Sequence, residues 1–464
     1  MIVFVENNTN FILYCSVAKV LSQKYGIDCH ILTLSRAKKL EIESNGVPAT
    51  FLGDVSPTNS PSFESINRII ENENSAFTLA QYLNQDRHLT HYSYEKSLNL
   101  IRDYSEKFYA FAENNNVQLF IGELTWANEL VFMNISEYVF RVPYVDLLNN
   151  YVFNEPKLTF FDAKHSLKYM KLTAPNSLNH SAPLIINIEN FVDKRINTDI
   201  NKIFSSFSNY SATKYKEKYL LIKKYGDKYD YKYDFYLKFR FNILKILNRF
   251  TNSVFEPFLF QDTKLNERFF YFPLHIQPEA TPDIVAPFYN NQIDLIEKIS
   301  LSLPLNTYLY VKDHPDGLGY RSFFYYNNIV KLKNVRLIKT FITSSSLIKN
   351  SLGVLTIAGT AGIEARLLSK PVIVFSDIFY QEIIDHVYLI QNFNELPDLL
   401  KKISTMNGIC KSLNIKTFID FVENNSFKGY VYDPIIDPNV LDKKNIESIA
   451  FAISTFKQNL APVN

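Results

Sequence analysis

Cysteine is scarce in this chain, and its placement excludes two kinds of site. The 464 residues include three cysteines, Cys15, Cys29 and Cys410, and no two of them form a CxxC pair. Such wide spacing argues against a zinc ribbon and against a disulfide framework. The sequence therefore predicts a protein of the reducing cytoplasm.

Long apolar runs and a net charge are also lacking. No uncharged apolar stretch approaches the roughly 18 to 20 residues needed to cross a bilayer, and the N-terminal sequence predicts no signal peptide. The 49 basic residues nearly balance the 47 acidic ones, for a formal net charge of +2. This balance argues against the basic face that nucleic-acid binding requires. We expect a folded, cytoplasmic protein that meets membranes only peripherally and does not bind nucleic acid.

Several catalytic signatures are absent as well. The chain contains no DxD, HExxH or GxSxG motif, no GK[ST] phosphate loop and no cluster of cysteines and histidines. Metal-dependent transfer, zinc hydrolysis and serine hydrolysis therefore lack their usual residues. The sequence predicts no bound metal.

What is present is an alternation of apolar strands and helices in two halves. The first half contains the apolar runs IVFV, CHILTL, VQLFIG and VPYVDL, with helices near 13–24 and 94–113 between them. The second half restarts at Arg268 with FFYFPL, TYLYVK, VRLI, GVLTIAG and PVIVF, and predicted helices separate most of these runs. Strands that alternate with helices form parallel sheets covered on both faces. The pattern predicts an α/β protein that ends in a helix near 445–458.

Residues 214–250 differ from both halves because basic and aromatic side chains recur in them. They hold eleven basic and four acidic residues, a local charge of +7. We interpret the segment as a helical connector whose aromatic side chains pack on the neighbouring domain, with contact to a lipid surface or to an acidic polymer as the alternative. The expected domains are residues 1–205, a connector at 206–264, a second domain at 265–425 and a C-terminal helical segment at 426–464.

Four loops of the second half follow predicted strands and suit a phosphorylated ligand. Open parallel sheets bind ligands outside the carboxyl ends of their strands, and histidines, hydroxyls and helix N-terminal amides can donate to phosphate. The candidates for nucleotide and phosphate binding are Lys312, His314, Pro315, Gly317 and Arg321 in VKDHPDGLGYR, Ser344, Ser345 and Ser346 in TSSSLI, and Gly359, Thr360, Ala361, Gly362 and Glu364 in GTAGIEA. The fourth loop, FPLHIQPEATP, adds His275, Gln277 and Glu279 as candidates for sugar or acceptor binding.

Each of these candidates also has a purely structural interpretation. A histidine at the position of His314 can cap or pack, the serine run can cap a helix, and Glu364 can be an exposed first-turn glutamate favoured by the helix dipole. The neighbouring Lys312 and Arg321 favour phosphate binding for His314. The serine run fits both interpretations equally.

The first half offers carboxylates for acid–base chemistry. Glu123 in GELTWANEL follows an apolar strand and is the first candidate, and Asp146 after VPYV is the second. Both can instead be helix or loop caps. We expect Glu129, in the same segment as Glu123, to lie on a helix surface.

Taken together, FPLHIQPEAT, VKDHPDGLGYR, TSSSLI and GTAGIEA with KPVIVF behind it resemble the capsule and surface polysaccharide biosynthesis glycosyltransferases. This group includes bacterial Kdo transferases and is akin in site design to bacterial sialyltransferases. The resemblance covers residues 268–380 well and the first half only through GELTWANEL. It implies a GT-B fold: two facing Rossmann-like domains, a helical connector and a C-terminal helix that returns to the first domain.

The resemblance also implies roles for individual residues. His314 and Ser344 to Ser346 would hold the phosphate of a CMP-activated sugar, while Gly359 to Gly362 and Glu364 would hold the nucleotide. The resemblance does not identify which residue corresponds to the catalytic aspartate of the Kdo enzymes. Glu123 and Asp146 therefore both stay candidates for the catalytic carboxylate, and His314 is the candidate that stabilises the leaving phosphate.

The resulting hypothesis is a metal-free glycosyltransferase that needs no cofactor beyond its nucleotide-sugar co-substrate. It would move an acidic ulosonic sugar of the Kdo or sialic acid type from CMP to a bacterial surface glycan or lipid-linked acceptor. An anionic membrane at the inner face of the cytoplasmic membrane is a further expected partner, through residues 214–250. The alternatives are a UDP-sugar or CDP-polyol donor, or a non-catalytic glycan-binding or assembly protein of the same fold.

Overall fold

The structure is a computed structural model that describes residues 1–58, 60–73, 77–150, 157–170, 220–221, 223–264, 267–314, 317, 319–406, 410 and 415–460. The chain divides into two compact units. The first contains Met1–His180, Glu217–Asp234 and Asp420–Asn464, and the second contains Ser181–Lys216 and Phe235–Ile419. The segment expected to be one connector, 206–264, is therefore shared by the two units.

The first unit is built on one seven-stranded sheet. Its strands are β1 (Ile2–Val5), β2 (Cys29–Thr33), β3 (Ala49–Phe51), β4 (Leu119–Ile121), β5 (Tyr144–Asn150), β6 (Lys157–Phe161) and β13 (Phe427–Lys428). Its helices are α1 (Phe11–Tyr25), α2 (Arg36–Ser44), α3 (Phe63–Asn72), α4 (Leu79–Gln85), α5 (Tyr94–Glu113), α6 (Ala127–Asn134), α7 (Leu167–Met170) and α15 (Lys443–Asn459).

The strand order of this sheet is β3-β2-β1-β4-β5-β6-β13. The first five strands run parallel, whereas β6 and β13 are antiparallel to their neighbours. The chain moves from β1 outward to β3 and then returns to place β4 on the other side of β1. This reversal between β1 and β4 is a topological switch point, where open α/β sheets leave a crevice for ligands.

The C-terminal helix packs back on the first unit. Buried residues of α15 join one apolar core with α1 and with strands of the sheet, and the Phe456 ring stacks on Phe160 of β6 with 4.2 Å between centroids. Aromatic stacking adds to the free energy of burying apolar surface. The predicted return of the C-terminal helix is confirmed.

The second unit is a six-stranded, all-parallel sheet. Its strands are β7 (Arg268–Pro273), β8 (Thr307–Lys312), β9 (Val335–Ile338), β10 (Val354–Thr356), β11 (Val372–Val374) and β12 (Val387–Leu389). Its helices are α8 (Phe235–Leu259), α9 (Gln292–Ser302), α10 (Phe323–Val330), α11 (Ser344–Asn350), α12 (Ala361–Leu367) and α13 (Leu396–Thr405), and α14 (Ile415–Asn424) runs from this unit's last residues into the first unit's range.

The order β12-β11-β10-β7-β8-β9 is the dinucleotide-fold order, with its switch point between β7 and β10. The interior strands β10 and β11 are fully buried, as expected for parallel strands covered on both faces. Two Rossmann-type units and a returning C-terminal helix confirm the α/β, GT-B-like fold class.

The interpretation of the basic, aromatic segment is correct for one part of it and wrong for another. Tyr225, Tyr231 and Lys232 are buried in the first unit, so this part packs as expected. The aromatic side chains of helix α8 were also expected to be covered, but Phe239 is 55% exposed and Phe250 is 71% exposed.

Candidate functional site

The four predicted loops of the second unit meet at one edge of its sheet. His275 follows β7, His314 follows β8, Ser344 follows β9 and Gly359 follows β10. Because all six strands are parallel, their carboxyl ends lie at the same edge. β7 and β10 are the strands at the switch point, so His275 and Gly359 flank the crevice itself.

His275 joins the loops after β7 and β10. Its Nε2 lies 3.0 Å from the Thr356 hydroxyl and accepts the Ile357 N–H at 3.3 Å. Burial, together with the nearby charge of Arg321, lowers the pKa of His275 to about 4. The ring is therefore neutral near pH 7, and because Nε2 is an acceptor the proton lies on Nδ1.

A buried ion pair joins the loops after β7 and β8. The Arg321 guanidinium donates to Oδ1 of Asp313 and to the backbone carbonyl of His275, and Tyr326 donates its hydroxyl to Asp313. A Cβ on Gly317 would lie 2.7 Å from Oδ1 of Asp313, so only glycine fits beside the pair. The predicted phosphate contact of Arg321 is thus accompanied by a structural role, since Asp313 already matches its charge.

Lys312 connects the loop after β8 to the serine run. It is 4% exposed, and its ammonium donates to the Ser344 hydroxyl at 3.2 Å. The same Ser344 oxygen accepts the Tyr271 hydroxyl from β7 at 3.2 Å. A lysine ammonium and a hydroxyl held together in this way combine a positive charge with hydrogen-bond donors. This combination suits the binding of a phosphate oxygen.

The helix N-termini differ in how they are capped. Thr343 caps α11 by accepting the Ser346 N–H at 3.3 Å, so capping is done by the threonine rather than by the serine run. At α12 the residue Thr360 makes no side-chain cap. Ser345 is half-buried and Ser346 is exposed.

Close packing explains the two glycines of GTAGIEA. A Cβ on Gly359 would lie 2.8 Å from both the His275 ring and the Thr356 hydroxyl. A Cβ on Gly362 would collide with the hydroxyl of Tyr380, which donates to the Gly359 carbonyl at 2.7 Å.

The other candidates have varied surroundings. Gln277 uses its amide within its own loop, donating to Asp283 and to the Asn290 carbonyl and accepting from Gln292. Glu279 and Thr360 are exposed, while His314, Ala361 and Glu364 are half-buried. Pro315 lies outside the described residues. The structure brings the four loops together, and the binding roles of these residues stay predictions.

Glu123 lies at the carboxyl edge of the first sheet, at its switch point. Asn7, which follows β1, donates its side-chain amide to Oε2 at 2.9 Å, and Asn10, the residue before α1, donates to Oε1. Burial raises the pKa of Glu123, and the Asn10 amide and the charge of Lys232 offset part of that effect. A carboxylate oriented by two amides with a raised pKa has the properties of a general base.

Asp146 is more enclosed than Glu123. It lies within β5, is 4% exposed, and accepts the Leu124 N–H at 3.2 Å through Oδ2. Its Oδ1 is buried without a hydrogen-bond partner among the described residues. Burial, followed by the charge of Glu123, raises the pKa of Asp146 well above its ordinary value.

The expectation that Glu129 lies on a helix surface is wrong. Its side chain is fully buried, because Oε2 accepts the backbone N–H groups of Thr125 and Trp126 at the start of α6. Burial raises the pKa of Glu129 to about 8, although the ammonium of Lys232 lies 3.8 Å from Oε1.

The first unit has a buried ion pair near the carboxyl edge of its sheet, where Glu6 directly follows β1. Lys38 donates to Glu6 with 2.6 Å between Nζ and Oε2, and both side chains are completely enclosed. Burial alone would raise the pKa of Glu6, but the charge of Lys38 lowers it below its ordinary value. Buried charged side chains of the first unit therefore cluster near the switch point of its sheet, between β1 and β4.

Sequence reasoning identified Glu123 but not the residues that hold it. The signal for Asn7 and Asn10 was present, since the run ENNTN follows the strand IVFV directly. Lys232 gave no local signal, because only the tertiary fold brings it beside Glu129.

Comparison with known proteins agrees with the family resemblance. Residues 185–383 match the model of the family described as capsule polysaccharide biosynthesis protein, and this range includes all four loops. No curated protein sequence matches the chain.

Solved structures with related folds are distant. They include the β-Kdo 2,7 transferase KpsC of Thermosulfurimonas dismutans, at 12% identity over 79% of this chain and 97% of that chain with a TM-score of 0.33. The β-Kdo 2,4 transferase KpsC of the same organism is 10% identical over 66% and 87% of the two chains, with a TM-score of 0.30. UDP-GlcNAc 2-epimerase from Methanocaldococcus jannaschii is 11% identical over 98% and 99%, with a TM-score of 0.29.

Proposed function

We propose, on the premise that residues 185–383 carry the domain of the capsule polysaccharide biosynthesis family, that this protein is a glycosyltransferase. In our proposal it transfers an acidic ulosonic sugar of the Kdo or sialic acid type from a CMP donor. The acceptor is a bacterial surface glycan or a lipid-linked glycan, and the reaction takes place in the cytoplasm at the inner face of the membrane. The nucleotide sugar is a co-substrate, and the reaction uses no metal or other cofactor.

The observation that carries this proposal is the convergence of four loops at the carboxyl edge of the second sheet. Lys312 and Ser344 supply a cation and a hydroxyl already joined at 3.2 Å. Glycine at position 359 brings the loop after β10 against His275. Preorganised donors of this kind stabilise a departing phosphate without reorganisation during the reaction.

The proposed reaction assigns one task to each group. The acceptor hydroxyl oxygen forms the new glycosidic bond, and its proton passes to a carboxylate of the first unit, Glu123 or Asp146. The bond between the anomeric carbon and the phosphate oxygen breaks, and CMP leaves with the electron pair. His314, Lys312 and Ser344 stabilise the negative charge on the leaving phosphate, and Gly359 to Gly362 with Glu364 hold the nucleoside.

A thermal-shift titration with CMP, CDP, UDP and GDP tests the donor assignment. A ligand that binds only the folded protein raises its Tm, so we expect CMP to give the largest shift and Ser344→Ala to reduce that shift. Stabilisation by UDP or GDP without CMP would contradict the CMP donor. If none of the nucleotides shifts Tm at millimolar concentration, the proposal of a transferase fails and a glycan-binding role replaces it.

A further inference from the structure

Helix α8 exposes a continuous apolar stripe along its outer face. At 100° per residue, the side chains of Phe239, Ile243, Ile246, Phe250, Val254 and Phe258 fall on one side of the helix, and each is at least 41% exposed. Phe258 reaches 80% exposure. A helix that is only partly buried normally turns polar residues to water on this side, so the stripe calls for a partner.

The opposite face of α8 is already docked on its own unit. Asn248 donates to the Gly319 carbonyl at 3.1 Å and Asn252 donates to the Arg321 carbonyl at 2.9 Å. Gly319 has a φ of +94°, and a Cβ there would lie 2.7 Å from Arg249. The contacts that fix α8 on its unit are therefore made by a different face of the helix from the stripe.

Basic residues flank the stripe. Helix α8 contains Lys238, Arg240, Lys245 and Arg249 and a single acidic residue, Glu256, so its formal charge is 4 − 1 = +3. On the same helical projection Lys238, Lys245 and Arg249 lie along one border between the docked face and the stripe, and Arg240 lies at the other border. An apolar face bordered by basic residues is the pattern of helices that lie in the plane of a membrane interface.

We propose that α8 is an interfacial anchor, which inserts its apolar stripe among the acyl chains of an anionic membrane while its basic residues meet the lipid head groups. Among the described residues no helix is long and apolar enough to cross a membrane, so α8 lies on the surface. A second copy of the helix is the poorer partner, because two helices with a formal charge of +3 each would repel one another. Anionic lipid complements the same charge.

The anchor would also fix the position of the candidate nucleotide site. The loop at Gly319 and Arg321, on which α8 docks, follows directly from His314. If the proposed function holds, membrane binding therefore places donor chemistry at the surface where lipid-linked acceptors lie. The membrane binding itself does not depend on that function.

Co-sedimentation of the full chain with vesicles tests the anchor. We expect binding to vesicles of phosphatidylcholine with one third phosphatidylglycerol and much weaker binding to phosphatidylcholine alone. The triple variant Ile246→Ser, Phe250→Ser, Phe258→Ser should lower the partition coefficient at least about tenfold, because it removes three inserted apolar side chains. The matched control is Phe288→Ser, Leu301→Ser, Leu305→Ser, which removes three apolar side chains of the same unit that are 82–91% exposed.

Three results would overturn the inference. One is the absence of binding to anionic vesicles, and another is equal loss of binding in the two triple variants. The third is a wild-type dimer in sedimentation velocity that the α8 variant converts to a monomer, since the stripe would then be a contact between copies. The CMP thermal shift of the α8 variant should equal that of the wild type, so failure of the anchor and failure of the proposed function give different results.

Discussion

At the scale of single residues, the orientation of Glu123 is the feature most directly tied to chemistry. Asn7 and Asn10 occupy one position on each carboxylate oxygen, which fixes the group while leaving lone pairs for a substrate proton. Asp146 is held by a backbone N–H and is more deeply buried. Both candidates are side-chain carboxyl groups. They differ in how accessible each one is to a substrate, and Asp146 is the less accessible of the two.

We predict that Glu123→Gln binds donor as the wild type does but turns over at least about 100-fold more slowly, the usual scale for lost acid–base catalysis. Because burial raises the pKa of Glu123, its basic form increases with pH, so wild-type kcat/KM should rise through a pKa above that of a free glutamate. The measurement is a pH profile of turnover for Glu123→Gln, Asp146→Asn and wild type. A larger loss in Asp146→Asn would transfer the role to Asp146.

Glu129 gives a prediction about stability. Its pKa is about 8 when folded and near 4.5 when unfolded, so between these values the folded state binds the extra proton and stability falls as pH rises. Glu129→Gln mimics the protonated acid and removes this dependence. We expect its free energy of unfolding, relative to wild type, to increase by about 1.4 kcal/mol per pH unit within that window.

Urea unfolding of both proteins at pH 5, 6, 7 and 8 measures that difference. Groups other than Glu129 titrate in both proteins and largely cancel in the comparison. A difference that stays constant from pH 5 to pH 8 would show that Glu129 is ionised in the folded protein throughout, held as a carboxylate by Lys232.

At the scale of elements, the close packing of Gly359 determines which residues the loop between β10 and α12 can accept. A methyl group at position 359 would clash with both the His275 ring and the Thr356 hydroxyl. We predict that Gly359→Ala displaces His275 and destabilises the protein by about 1–3 kcal/mol, the usual cost of overpacking, while weakening the CMP thermal shift. Gly46→Ala is the control for the loss of a glycine, since a Cβ there meets nothing within 4 Å, although its φ of +77° adds strain. Unchanged Tm and CMP shift in Gly359→Ala would contradict the packing argument.

The same elements show what a sequence can predict. Apolar runs followed by polar residues located the strands and the loops at their carboxyl ends, because period and polarity are local properties. The helix predicted near 94–113 has these bounds in the structure. Strand β6 was missed, since its sequence KLTFF is short and becomes a strand only by pairing antiparallel with β5.

Helix α8 illustrates the opposite limit. Its spacing predicted a helix, but the side of the helix that packs depends on Asn248 and Asn252 reaching carbonyls of a distant loop. The aromatic residues were therefore expected to be covered, whereas the structure exposes them. Likewise, the burial of Glu129 follows from backbone N–H groups that no side-chain pattern reveals.

At the scale of the whole molecule, each unit places polar residues at the carboxyl edge of its own sheet, at or near the switch point. The first unit gathers carboxylates and amides there, and the second gathers Lys312, His275 and serine hydroxyls. Topology accounts for both, because the crevice arises where consecutive crossovers diverge from one strand. The sequence could predict the two sheets and the loops that follow their strands, but identifying the residues that orient each side chain required the structure.

The most direct test of the central claim is release of CMP from CMP-Kdo and CMP-sialic acid, measured by chromatography with a glycan acceptor present. We predict that the wild-type protein releases CMP from at least one of these donors. His314→Ala should lower turnover about 10²–10³-fold at unchanged Tm, the usual loss for one preorganised donor, while His91→Ala, at an exposed histidine of the first unit, should retain wild-type turnover. Release of UDP from UDP-sugars with none from either CMP donor, or full turnover in His314→Ala, would contradict the account.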